Sequence, residues 1–262
     1  MKMTVIAHFY NEEYLLPWWL MHHTKIFDHG ILINKGSTDK SVEICKKYAP
    51  HWEVRHSDTG SFFDVFQTDH EVMKAETEAI GWKMVLNITE FLCFADKDQF
   101  LHSLSRLGSQ MYFIEGIFMV DHPNERHKEL TYERPLVEQK YHGYLLEQLR
   151  WHYIGSNTRG RFIHCHSHGS YVPGRHSSGH SSIPYPSHAF ILWFGYSPWN
   201  EEIIQRKLQI GPTLAPHPSA GIHHRVDRNQ LETWYTEISQ RTTDLRLTNE
   251  YNGMFPHFGG VK

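Results

Sequence analysis

The sequence predicts an α/β protein built on a mostly parallel, Rossmann-like sheet with helices on both faces and an irregular C-terminal extension. Three observations carry that expectation. Short apolar runs alternate with amphipathic stretches through residues 4–101, the rhythm of right-handed βαβ units. Polar clusters follow several of those runs, where parallel sheets bind ligands beyond the carboxyl ends of their strands. A chain of 262 residues, 40% apolar and 21% charged, also suffices for one large domain with a full core.

Thr4–Phe9 reads as the first buried strand, and Asn11 as the N-cap of the helix after it. Leu15, Trp18, Trp19, His22 and Ile26 recur at helical spacing, with Pro17 tolerable only near the first turn. Gly30–Ile33 is the second strand. Gly36 supplies a turn, Ser37 a cap, and Asp39 complements the positive end of a helix running to Tyr48. Trp52–Arg55 is the third strand. A helix from Val65 to Leu86, with a possible break at Gly81, leads to a fourth strand at Glu90–Ala95, which stops at Asp96-Lys97-Asp98.

The second half is less regular. Met111–Val120 reads as a strand, Asp121–Arg134 as a loop and Leu136–Trp151 as a helix. Arg161–His168 reads as a strand with histidines at every second position. Val172–Ser187 has the Gly, Ser, His and Pro content of a long functional loop. After apolar Ala189–Phe194, Ser197-Pro198 is placed to start a helix, and Glu232–Leu245 to form the last one.

A net charge of −3 argues against a nucleic-acid partner, which needs a basic surplus. Three scattered cysteines make neither a disulfide framework nor a CxxC metal site, and they favour a reducing compartment. Neither a signal peptide nor a membrane-length apolar run is expected, so the chain reads as cytoplasmic with no transmembrane segment. The 14% aromatic content suits either a Trp-rich core or ring faces that stack on sugars.

Two carboxylates two residues apart at a strand end, Asp96 and Asp98, can converge on one hard divalent cation that bridges phosphates. His164, His166 and His168 would share one strand face, either as a zinc site or as exposed side chains.

Phe9-Tyr10-Asn11-Glu12, Ile33-Asn34-Lys35-Gly36-Ser37-Thr38-Asp39 and Phe94-Ala95-Asp96-Lys97-Asp98-Gln99-Phe100 resemble the successive motifs of family 2 glycosyltransferases. In that family a YNE-like segment follows strand one, a GSTD segment strand two and a DxDEF segment strand four. The likeness extends to a branch with a first helix like Trp19-Leu20-Met21-His22-His23, and to late features like Gly174-Arg175-His176-Ser177 and Ser197…Glu201…Lys207.

The resemblance implies one GT-A domain over 1–262, with residues 1–101 as the nucleotide-sugar-binding half and 102–262 as the acceptor-side half. It implies sugar transfer, with inversion favoured, from a nucleotide diphosphate sugar to a glycan, lipid or small-molecule acceptor. Tyr10, Asn11, Glu12, Asn34 and Asp39 would form the donor pocket, with Arg206 or Lys207 neutralising phosphate. Asp96 and Asp98, with His176 as third ligand, would hold Mn²⁺ or Mg²⁺ at the donor. Asp121 and Glu125 are the candidate general bases. Asn34, Lys35 and Gln99 depart from the family's usual residues. Two rival readings stand beside this one: a non-catalytic nucleotide-sugar or carbohydrate-binding protein, and a metallohydrolase built on the histidines.

Overall fold

The computed structural model describes residues 1–106, 108–126, 128–144, 160–186, 189–215, 221 and 224–248. The fold class is α/β, as the sequence predicts. Strands β1 (Met3–Phe9), β2 (His29–Asn34), β3 (Glu53–His56) and β4 (Trp82–Val85) lie in the order β3-β2-β1-β4, all parallel.

Alternation along β1 sends its side chains into two cores. Val5, Ala7 and Phe9 pack with residues of α1 (Leu16–His23) and α2 (Ser41–Tyr48) on one face. Ile6 joins Ile31, Ile33 and Val85 under Val72 and Ala75 of α3 (Val65–Glu78) on the other. Helices therefore cover both faces. The tryptophans of α1 are buried, and Trp19 Nε1 donates to the Asn87 and Glu90 carbonyls at 3.1 and 3.0 Å. A buried indole of this kind contributes about 3–5 kcal/mol. Here it also pins the chain just beyond β4.

The remaining strands are β5 (Glu90–Phe94), β6 (Met111–Val120), β7 (His142–Tyr144), β8 (Gly160–His164), β9 (Ile183–Pro184), β10 (Ala189–Tyr196) and β11 (Thr243–Asp244). β8 is antiparallel to both β4 and β6, so β6 runs in the direction of β4. β10 is parallel to β6 and β5 antiparallel to β10. β5 consequently runs against β1 and β4.

Several expected elements are corrected. The long helix ends at Glu78. Gly81, at φ +85°, turns the chain, and residues 82–85 form the fourth parallel strand rather than a helical tail. A Cβ at Gly81 would also lie 2.5 Å from the Lys2 carbonyl oxygen. Asn11 does not cap α1, whose N-cap is Leu15 with no side-chain bond, and α2 starts at Ser41 rather than after Ser37. The Leu136–Trp151 reading divides into α5 (Leu136–Gln139) and β7, and its remainder lies outside the described residues.

The strand at 161–168 stops at His164. Asn200, not Ser197, caps α6 (Glu201–Leu208), its side chain accepting from the Ile203 N–H at 3.1 Å. The helix expected at Glu232–Leu245 runs Arg228–Ser239 and is followed by β11. No helix among the described residues is long and apolar enough to cross a membrane.

Candidate functional site

A cavity of about 470 Å³ opens beyond the carboxyl ends of β1, β2 and β4. Phe9, Tyr10 and Glu12 follow from β1, Lys35 from β2, and Asn87, Ile88 and Thr89 link β4 to Glu90 at the start of β5. Asp69 of α3, Arg161 of β8, Gly174–His176, Trp193 of β10 and Arg206-Lys207 of α6 close the other walls. The cavity thus draws on both halves of the chain, at the edge where open α/β sheets bind ligands.

Three polar side chains brace the turns beneath it. The Asn11 N–H donates to Ser37 Oγ at 2.9 Å, and Asn11 Oδ1 accepts from the Thr38 N–H at 2.8 Å, with Asn11 at φ +48°. Asn34 Oδ1 accepts from the Ser37 N–H at 2.8 Å. Asp39 accepts from the Ser41 and Glu13 N–H groups at 2.9 and 3.0 Å. These three predicted donor-site side chains are spent on turn geometry, and none lines the cavity.

Asn87 is the hub of the wall. Its N–H and Nδ2 donate to Glu90 at 2.8 and 3.1 Å, and its Oδ1 accepts from Arg175 Nη2 at 2.8 Å. Glu90 receives Arg161 in a two-pronged pair at 2.9 and 2.6 Å. Burial alone would raise the Glu90 carboxyl, but the Arg161 guanidinium and the Asn87 N–H outweigh it and hold it below the ordinary value. Arg161 Nη1 also reaches the Gly174 carbonyl at 3.3 Å and His176 Nδ1 at 3.4 Å, tying the late loop to the site. Asp69 accepts from Arg175 Nη1, and from the Gly174 N–H at 2.7 Å.

Across the cavity, Glu12 accepts from Arg206 Nε and Nη2 at 2.7 and 2.5 Å. Lys207 Nζ stands 3.9 Å over the Tyr196 ring. Among the described residues the lining holds five cationic side chains (Lys35, Arg161, Arg175, Arg206, Lys207) against three carboxylates (Glu12, Asp69, Glu90). Each carboxylate is already held by an arginine. The cavity is therefore suited to an anion, with Phe9, Tyr10, Phe63 and Trp193 offering ring surface.

Among the predicted site residues, Tyr10, Glu12, His176, Arg206 and Lys207 reach this cavity; the rest do not. Asp96 Oδ1 accepts from the Gln99 N–H at 2.6 Å at the start of α4 (Lys97–Arg106), and Asp98 is exposed in its first turn. Because β5 runs against β1, both lie on the amino-end side of the parallel strands, opposite Tyr10. The Lys97 ammonium accordingly reaches the Lys25 carbonyl at 2.7 Å, just ahead of β2.

Neither candidate base lines the cavity. Asp121 is buried and accepts from Lys140 Nζ at 2.7 Å, Ser197 Oγ at 2.5 Å and the Trp199 N–H at 2.9 Å. Glu125 pairs with Lys128 at 2.7 Å. His164 is buried against Glu76 at 2.9 Å, and His166 stacks on His180.

Mn²⁺ or Mg²⁺ does not suit this donor set. Asp96 and Asp98 cannot meet His176, and the end of β4 presents the neutral side chains of Asn87 and Thr89. Among the described residues no three His, Cys, Asp or Glu side chains are grouped to hold a metal.

Sequence reasoning missed Asn87, Glu90, Arg161 and the role of Arg175. A signal for the first two was present: Asn87-Ile88-Thr89-Glu90-Phe91-Leu92 follows the true fourth parallel strand and keeps the Glu-Phe of the DxDEF pattern, without its aspartates.

No family model matches the chain, and the search of curated proteins returns no match. Among solved structures, the chain is similar to residues 1–349 of S. aureus TarS in complex with UDP, at 15% identity and a TM-score of 0.43. That alignment covers 86% of this chain and 68% of that one. It is also similar to glucosyl-3-phosphoglycerate synthase from Mycobacterium tuberculosis, crystallised with Mn²⁺, UDP-glucose and phosphoglyceric acid. There the identity is 12%, the TM-score 0.36, and the coverage 63% of this chain and 56% of that one.

Proposed function

We propose that the chain is a glycosyltransferase of GT-A type that binds a nucleotide diphosphate sugar in this cavity and transfers the sugar to an acceptor hydroxyl. The observation that carries the reading is the cationic, ring-lined cavity beyond the carboxyl ends of β1, β2 and β4. Tyr10 and Lys35 stand at the β1 and β2 ends, the side assigned to the nucleoside. Arg175, Arg206 and Lys207 are assigned to the diphosphate, and Trp193 and His176 to the transferred sugar. The arginines and lysine would hold the leaving diphosphate and stabilise the charge that develops on it. No divalent cation enters this reading, since the cavity carboxylates are already paired with arginines.

Those same pairings support a second reading, binding without transfer, because among the described residues they leave the cavity no carboxylate outside an ion pair. A thermal-shift screen of UDP, GDP, ADP and CDP tests the shared step. A ligand that binds only the folded chain raises its melting temperature by mass action. Failure of every nucleotide to raise it would overturn both readings. Slow release of free sugar from the matching nucleotide sugar supports transfer, and its absence with intact binding supports the second reading.

A further inference from the structure

The resemblance to family 2 glycosyltransferases implies a carboxylate pair after the fourth strand to bring a cation to the diphosphate, and at the end of β4 this chain presents Asn87 and Thr89 instead. What meets Asn87 Oδ1 is Arg175 Nη2, at 2.8 Å. We infer that the Arg175 guanidinium occupies the role of a divalent cation, so that this cavity holds a diphosphate without metal. The inference rests on the nucleotide-sugar reading above and specifies its chemistry.

Arg175 is built into place. It is 6% exposed, is held by Asp69 and Asn87, and lines the cavity. Among the described residues its Nε–H has no acceptor. A buried donor left unpaired is costly, and a phosphate oxygen in the cavity would satisfy it with a charge-assisted bond. The backbone is committed to the same end. Arg175 sits at φ +59°, a left-handed conformation that residues other than glycine rarely adopt, and follows Gly174 at φ +85°. The Arg175 N–H donates to the Val172 carbonyl at 2.8 Å and the Gly174 N–H to Asp69 at 2.7 Å, so both ends of the turn are fixed.

A divalent ion bound at Asn87 Oδ1 would have to displace this guanidinium or stand beside a like charge. A diphosphate finds Arg175 on one wall and Arg206 and Lys207 on another. A guanidinium offers the planar fork that matches phosphate oxygens, which an ammonium does not.

The test is calorimetric titration of the intact chain with UDP, GDP, ADP and CDP, each in excess EDTA and again with excess Mn²⁺ or Mg²⁺. The tightest nucleotide is then repeated on Arg175→Lys and compared with its parent nucleoside. The expected result is equal affinity with EDTA and with metal, and a loss of about tenfold or more in Arg175→Lys for the diphosphate alone. Binding only with metal overturns this inference and leaves the nucleotide reading standing, whereas no binding under any condition overturns both. Equal weakening of diphosphate and nucleoside in Arg175→Lys, or no weakening, also overturns it. The unsubstituted chain decides the metal question, so that part needs no variant to fold.

Discussion

Lowering the pH from about 7 to about 5 should destabilise the fold through two buried histidines at the end of α1. His22 and His23 are 6% and 0% exposed. His22 Nε2 faces the Leu92 carbonyl at 2.8 Å. His23 lies between the Trp19 carbonyl, 2.9 Å from Nδ1, and the Leu92 N–H, 3.2 Å from Nε2. Since Leu92 N–H can only donate, Nε2 must accept, and the ring is fixed as the neutral Nδ1–H form. A second proton would set donor against donor. Burial pushes His22 down to about 4 and His23 well below the ordinary 6.5.

The unfolded chain takes up protons as pH falls below about 6.5, while the folded chain refuses them until about 4 at His22. That part of the stability is therefore present above about 6.5 and lost on the way down. Each pH unit is worth about 1.4 kcal/mol per group, so at about pH 5 His22 alone costs about 2 kcal/mol. His23 and His8 act in the same direction. Such losses are a large share of a typical stability of about 5–15 kcal/mol. Urea melts followed by tryptophan fluorescence at the two pH values measure the loss, and His22→Gln should reduce it by about 2 kcal/mol. Equal stability at both pH values, or an unchanged loss in His22→Gln, would refute the buried neutral imidazole.

Two further outcomes test the reassigned carboxylates. Asp121→Asn should cost about 3–5 kcal/mol in a urea melt, because it removes the charge that pairs with the buried Lys140, while nucleotide affinity of the folded chain stays unchanged. A stable variant with impaired turnover would instead return Asp121 to the role of base. Asp96→Asn and Asp98→Asn should bind the tightest nucleotide as the unsubstituted chain does. A selective loss of affinity in either would place that edge back in the site.

Much of the parallel half was legible in the sequence. β1, β2 and β3 are short runs bounded by turn residues, and the Trp-rich first helix shows its spacing plainly. β4 was not legible, because Trp82-Lys83-Met84-Val85 is buried on every residue and so lacks the alternation that marks a half-covered strand. It also follows a 14-residue helix, which its apolar content prolongs in sequence; only Gly81 marks the break. Helix starts were misplaced for a different reason. Asn11, Ser37 and Asp39 are good caps by type, but they satisfy backbone groups of neighbouring turns across the β1–β2 gap, a pairing that no local pattern reports.

That one unseen strand displaced the metal pair. An Asp-x-Asp after a strand is a ligand-edge signal only if the strand runs with β1, and direction is not a local property. Yet direction was recoverable once β4 is recognised. Only residues 86–89 separate β4 from β5. A crossover that brings the chain back parallel needs about a dozen residues or more, usually with a helix. β5 must therefore head away from the ligand edge, carrying Asp96 and Asp98 with it. The chemistry-bearing residues have to be sought in the short connection itself, where Asn87, Thr89 and Glu90 stand. The late arginines join them through the antiparallel β8 and the loop after it, partners about 70 and 90 residues away in sequence. A reading that fixes strand direction before assigning motifs would have reached Asn87 and Glu90. Arg161 and Arg175 needed the folded chain.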